Sequence, residues 1–262
     1  MKPDTNTKTE EFSFHGILDF AEKNPQENTH ETDGYIWRPQ LNIVFLLDTS
    51  GSMTYEGGHR INQLNTAMRL VLDQLREFSA EEEICLYVRI IAFNSAASWV
   101  MGSTEKGVEI NEACNSWVDL SAGGATDTAG AIRLARTAMR TAYMGTNNYH
   151  PVVILITDGE SNDPQETRKA IEELREALSG GNPNKKDKVW RFAIGVEGYN
   201  ERELVDFAMT GNLEDEFGNT IENVPMVLRI ENATALVRAV RSVTMGAVRS
   251  SVAWEDKPWI TV

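Results

Sequence analysis

Asn42-Ile43-Val44-Phe45-Leu46-Leu47-Asp48-Thr49-Ser50-Gly51-Ser52-Met53 changes character at Asp48. Up to Leu47 the run is continuously apolar, without the alternation of a half-exposed strand, and so suits a strand buried on both faces. Beyond it comes a turn of hydroxyl residues and glycine. The same grammar returns in Val152-Val153-Ile154-Leu155-Ile156, which is followed by Thr157-Asp158-Gly159-Glu160. Each apolar strand therefore delivers a carboxylate just past its carboxyl end.

Outward from these strands the period changes. Ile61, Leu64, Met68, Val71, Leu72 and Leu75 recur at helical spacing within residues 61–78. Residues 86–93 and 97–101 read as strands, and 129–143 as a helix rich in alanine. Pro164 opens a helix reaching about Leu178, as proline prefers the first helical position. A strand over 190–196, a helix over 201–209, a strand over 226–230 and a helix over 233–248 complete the pattern, with Val237, Val240 and Val243 as its core stripe. Ser179-Gly180-Gly181-Asn182-Pro183-Asn184 is a surface loop by composition. Strands alternating with helices predict an α/β fold, a mainly parallel sheet covered by helices on both sides. Such sheets bind ligands at the carboxyl ends of their strands, where the strand order reverses.

Residues 1–38 form a polar extension, with Phe12-Ser13-Phe14 and Ile17-Leu18-Asp19-Phe20 as its candidate docking element. The domain proper is expected over 39–248, and 249–262 as a tail whose Trp254 and Trp259 cover apolar surface.

Three segments carry the chemistry: Asp48 to Met53, Gly123-Gly124-Ala125-Thr126-Asp127-Thr128 before the alanine-rich helix, and Thr157 to Glu160. They offer carboxylates and hydroxyls but no imidazole or thiolate, a hard oxygen set suited to Mg²⁺, Mn²⁺ or Ca²⁺ rather than Zn²⁺. Ser50, Ser52 and Thr126 would bind directly, Asp48 and Asp158 directly or through water. Neutral hydroxyls leave much of the ion's charge uncompensated, so a protein partner offering Asp or Glu is its natural outside ligand.

Asp48, Ser50 and Ser52 resemble the Asp-x-Ser-x-Ser of the metal-ion-dependent adhesion site in the von Willebrand factor A family. Thr126, within Gly-Gly-x-Thr-x-Thr, resembles that site's distant threonine, and Asp158, within Thr-Asp-Gly, its final aspartate. The resemblance covers roughly residues 40–248. It implies a Rossmann-like three-layer fold, a bound divalent ion and protein recognition through a carboxylate that completes the ion's shell. In form the chain is similar to stand-alone prokaryotic members such as the tellurite-resistance (TerY-type) group, which implies a part in bacterial stress response. Loops around 54–60, 95–125 and 159–164 are expected to choose the partner.

Blander readings stand beside these. Ser50 and Ser52 suit a helix cap, as does Asp127; Glu160 and Asp163 read as solvated loop charges, and His59 as a surface residue. Asn232-Ala233-Thr234 is a chance glycosylation triplet at a helix start. A haloacid-dehalogenase-type phosphatase needs a second Asp where Ser50 stands. No Gly-x-x-x-x-Gly-Lys loop or Gly-x-Ser-x-Gly elbow occurs either. Metal-assisted phosphoester hydrolysis is the remaining enzymatic alternative, without a visible general base; the expectation is a protein that is not an enzyme.

Bulk composition narrows the field further. Of 262 residues 41% are hydrophobic, enough for a core, and the formal charge of −14 argues against a nucleic-acid surface. The two cysteines make no disulfide framework, and Cys85, inside an apolar run, is expected buried and reduced. No apolar run approaches a membrane span, and the N-terminus lacks a signal-peptide pattern, so the expected location is cytoplasmic without membrane insertion.

Overall fold

The computed structural model describes residues 38–139, 149–179, 189–196, 199–214, 220–230, 232–252 and 259–261. β1 (Gln40–Asp48) is buried from its second residue to its last. That is why its sequence lacks alternation: both faces meet apolar neighbours. β1 pairs in parallel with β2 (Cys85–Phe93) on one side and β5 (Val152–Thr157) on the other. Beyond β5 lie β6 (Trp190–Val196) and β9 (Val227–Ile230), also parallel. β3 (Ala97–Met101) and β4 (Val108–Glu109) each pair antiparallel with β2, completing a seven-stranded sheet.

The main strand order is β3-β2-β1-β5-β6-β9. The chain moves from β1 outward to β2, then returns to the opposite side of β1 to lay down β5 and β6. Right-handed crossovers therefore place the intervening helices on opposite faces. α1 (Tyr55–Glu81) packs with α6 (Ala233–Val252), while α3 (Thr128–Ala138) packs with α4 (Pro164–Ser179). α2 (Ile110–Ser116) adjoins α1, and α5 (Glu201–Phe207) adjoins α4. The reversal between β1 and β5 opens a crevice at their carboxyl ends.

The structure departs from the sequence reading in several places. α1 begins at Tyr55, before the first buried apolar position at Ile61, so residues 54–60 are not the expected loop. This opening turn lacks apolar periodicity, and Gly57 and Gly58 take φ of 71° and 89°, a conformation that glycine adopts without a Cβ penalty. The hairpin of β7 (Thr210–Glu214) and β8 (Thr220–Pro225) went unread, because β8 is largely exposed and carries no apolar alternation. With β10 (Trp259–Thr261), parallel to β7, it forms a separate three-stranded sheet. α6 continues past residue 248 to Val252; α3 ends at Ala138, and residues 140–143 of the expected alanine-rich helix lie outside the described residues. The short β4 and α2 also escaped notice. Most of the N-terminal extension, most of the loop at 179–184, and Trp254 fall outside the described residues.

One polar knot lies inside the apolar layer. Arg89 on β2, 1% exposed, donates to Asn42 Oδ1 at 2.8 Å and to the Ser103 carbonyl at 3.0 Å. These bonds compensate a buried cation and tie the β3–β4 connection to the sheet. Cys85 and Cys114 are free thiols, and both are half-buried, so Cys85 is less enclosed than its apolar run suggested.

Candidate metal centre

Asp48 is the last residue of β1 and wholly buried. Its Oδ1 accepts the Ser50 N–H at 2.8 Å, and its Oδ2 accepts the Thr157 hydroxyl at 2.5 Å. After Asp48 the chain passes through extended Ser50 into a 3₁₀ turn, Gly51–Thr54. Ser50 stands at that turn's cap position, but its hydroxyl caps nothing there. It lies 3.0 Å from Ser52 Oγ, which donates to Asp158 Oδ1 at 2.7 Å. The serines thus face the second strand end, and the capping alternative fails.

Thr126, 9% exposed, comes from a loop held against the first turn by backbone bonds. The Gly123 N–H donates to the Thr49 carbonyl at 2.8 Å, and Gly51 to Gly124 at 2.9 Å. Asp127 donates through its N–H to Asn94 at 2.7 Å, and its Oδ1 caps α3 by accepting the Gly130 N–H at 2.9 Å. Behind the loop, Asn65 on α1 clamps Leu120 by both backbone groups, at 2.9 Å each. Asp48, Ser50, Ser52 and Asp158 therefore form one hydrogen-bonded chain, with Thr126 brought alongside. The Thr126 side chain makes no hydrogen bond to those four.

These donors fit a small hard cation. Adjacent ligands of an octahedral Mg²⁺ with bonds of about 2.1 Å stand about 3.0 Å apart. Ser50 to Ser52 and Ser52 to Asp158, at 3.0 and 2.7 Å, already lie near that spacing. Burial pushes the Asp48 carboxyl above its ordinary value; bonds from Ser50 and Thr157 pull it back, and the like charge of Asp158 adds to the rise. A cation between the two carboxylates would relieve both the desolvation and the repulsion.

The acids and the histidine around the site are exposed, as expected of solvated loop charges and a surface residue, and each has a hydrogen-bond partner. Asp163 also caps α4: its Oδ1 accepts the N–H groups of Gln165 and Glu166 at 3.0 Å each. Glu160 accepts from Asn200 at 2.9 Å. His59 is exposed and bonds Gln63 at 2.7 Å, not the ligands. A polar cavity of about 270 Å³ opens beside Thr126, with Ser95, Asp127, Arg133, Asp163 and Glu166 among its walls.

Three residues without a role in the sequence reading also shape the site. Thr157 was legible in principle, since a hydroxyl at the end of β5 faces the neighbouring end of β1. Asn65 and Arg60 lie on α1, and nothing local marks them. Arg60 donates to Asp158 Oδ2 at 2.7 Å.

This architecture defines a class: an α/β domain with a cluster of carboxylate and hydroxyl oxygens, a candidate cation site, at the carboxyl ends of its central parallel strands. The von Willebrand factor type A domain model matches residues 42–225, and the chain belongs to that family. YfbK of Escherichia coli (strain K12) is 28% identical over 211 residues, covering 78% of this chain and 33% of that protein. A von Willebrand factor type A protein from Catenulispora acidiphila superposes with a TM-score of 0.56 at 18% identity, covering 80% of this chain and 43% of that one. Proximal thread matrix protein 1 from the mussel byssus, with a zinc-occupied adhesion-site motif, gives 0.55 at 16% identity, covering 78% and 47%. The chain thus spans about a third of YfbK and less than half of both structures. At such identities the structural likeness establishes the fold. Among the described residues no helix is long and apolar enough to cross a membrane.

Proposed function

We propose that this domain is a metal-dependent protein-binding module. Asp48, Ser50, Ser52, Thr126 and Asp158 hold a divalent ion, Mg²⁺ by preference and Mn²⁺ or Ca²⁺ as substitutes, and an Asp or Glu of a partner protein completes its shell. The observation that carries this reading is the run of side-chain oxygens from Ser50 through Ser52 to Asp158, spaced at 3.0 and 2.7 Å. It is a geometry of adjacent ligands, built from groups that leave the ion electrophilic. The zinc named for the mussel neighbour supports a divalent ion at this place in the fold.

The ion's task here is recognition rather than catalysis. Every acid in the hydrogen-bonded chain is itself a ligand, and His59 is engaged elsewhere. Among the described residues the nearby carboxylates Asp127 and Asp163 cap helices and Glu166 pairs with Arg133, so metal-assisted hydrolysis lacks a free base placed to activate water. The free thiols Cys85 and Cys114 suit the reducing cytoplasm. The resemblance to the tellurite-resistance (TerY-type) group supports a role in bacterial stress response.

Titration calorimetry with Mg²⁺ and Mn²⁺ tests the centre directly: the wild type binds, and Asp48→Ala does not while keeping its circular dichroism. Partner capture in Mg²⁺ and in chelator then tests the bridge. Ser50→Asp, which over-neutralises the ion, should weaken partner binding more than metal binding. Equal losses would contradict an open, electrophilic ion, and the same captured proteins in chelator would remove it from the interface.

A further inference from the structure

Asp158 is held on both oxygens. Oδ1 accepts from Ser52, on the side of the serine ligands, and Oδ2 accepts from Arg60 Nη1 at 2.7 Å. The Asp158 side chain is wholly buried, whereas the Arg60 side chain is 20% exposed. The guanidinium also lies over the Tyr55 ring, 5.4 Å from its centroid, and that ring is largely exposed at the crevice end of α1. Arg60 therefore sits behind the oxygen directed away from the serine ligands. It is fixed between a buried carboxylate and an aromatic face.

We infer that Arg60 is a selectivity residue of this centre: paired with the Asp158 oxygen that faces away from the serines, it keeps the loaded site net positive, so that the site selects an anionic partner group. The inference rests on the metal-binding reading above and extends it. Two carboxylates cancel the charge of a divalent ion, and Asp48 and Asp158 are the two. With them alone, a loaded centre would be neutral and would attract a carboxylate only through the local field of the ion. Arg60 restores one positive charge. On a chain of formal charge −14, such a local positive site is the feature an acidic side chain would find. Its second effect is the reverse: a cation bonded to a ligand carboxylate draws off charge that the metal would otherwise use.

Arg60 thus weakens metal binding and strengthens anion capture. A group that served only to anchor α1 would shift both in the same direction, or neither. A unit charge one carboxylate away from a divalent ion alters its affinity by on the order of tenfold at the dielectric of water, and by more where the local dielectric is lower.

The experiment compares wild type, Arg60→Gln and Arg60→Lys, with Asp48→Ala as the metal-free control. Mn²⁺ affinity is measured by calorimetry. Acetate capture by the bound ion is measured by the fall in Mn²⁺-enhanced water proton relaxation as acetate displaces water. Arg60→Gln should bind Mn²⁺ about tenfold more tightly and acetate several-fold more weakly, with Arg60→Lys restoring both toward wild type. Mn²⁺ affinity that is unchanged or weaker in Arg60→Gln overturns the inference and leaves the metal centre standing. So does acetate capture that does not fall. If the wild type binds Mn²⁺ no better than Asp48→Ala, the metal-centre reading fails and takes this inference with it.

Discussion

Thr157 donates its hydroxyl to Asp48 Oδ2 at 2.5 Å, joining the carboxyl ends of β5 and β1 through a buried carboxylate. The two strands pair in register up to Leu47 and Ile156, so each of these side chains stands one residue beyond that last pair of the ladder. Sheet pairing sets the distance, and the hydrogen bond sets the orientation of Asp48.

Thr157→Val keeps the shape and the strand propensity but removes this donor. A hydrogen bond to a charged group contributes about 1.5–3 kcal/mol, and its loss here leaves a buried carboxylate oxygen unsatisfied. Urea unfolding in chelator should show a loss of about 2 kcal/mol. Saturating Mg²⁺ should recover part of it, because the ion supplies an alternative partner for Asp48. A loss that is the same with and without Mg²⁺ would separate Thr157 from the metal centre.

The buried Asp48 also makes stability depend on pH. Burial raises its folded-state pKa above the ordinary 3.8, so in chelator the folded chain holds this proton more tightly than the unfolded chain does. Its contribution is full below the unfolded value and is lost as pH rises through the raised one. Asp48→Asn, with no charge to bury, should therefore melt higher than the wild type at neutral pH in chelator. The gap should close as pH falls toward 4. With Mg²⁺ the order should reverse at neutral pH, since only the carboxylate serves as a charged ligand. Melting curves across pH, with and without the ion, check each limb.

What could be read in advance follows from how each part is held. β1, β5 and β6 are buried on both faces, so their apolar runs were unmistakable, and Asp48 and Asp158 mark the strand ends. Ser50, Ser52 and Thr126 were legible because they lie in short segments with a recognisable order of types. The β7–β8 hairpin was not, since exposed strands need no apolar alternation. Arg60 and Asn65 were not, because their roles depend on how α1 is rotated against loops about 55 to 100 residues away in sequence. That Asp163, an exposed loop acid, also caps α4 was not, because a cap and a solvated loop acid share one local composition.

Asn65 gives the loop carrying Thr126 its rear support. Its amide donates to the Leu120 carbonyl and accepts the Leu120 N–H, and Asn65 itself is buried. Asn65→Ala strands both backbone groups, at a cost of about 2 kcal/mol. Hydrogen exchange in chelator should quicken over 120–126 while β1 and β5 stay protected. Mg²⁺ affinity should fall because Thr126 must then be ordered upon binding. Faster exchange spread evenly over the domain would mean that Asn65 supports the fold as a whole.

Gly124 is the tightest point of the same loop. Its φ is 88°, and a Cβ there would meet Ser95 Oγ at 2.5 Å, while Ser95 Oγ also accepts the Ala125 N–H at 3.0 Å. Gly124→Ala therefore incurs two separable penalties: a left-handed backbone for a residue with a Cβ, about 1 kcal/mol, and a displaced hydroxyl whose lost bond costs about 1 kcal/mol more. Ser95→Ala alone removes only the hydrogen bond. In the double variant the clash with Oγ is gone, and the remaining Ser95 atoms lie at ordinary contact distances of 3.5 and 3.6 Å. Unfolding measurements on the double-mutant cycle should thus give a combined loss smaller than the sum of the two single losses, by about 1 kcal/mol. Additive losses would show that the steric contact with Ser95 relaxes freely, leaving the backbone conformation as the reason for glycine at this position.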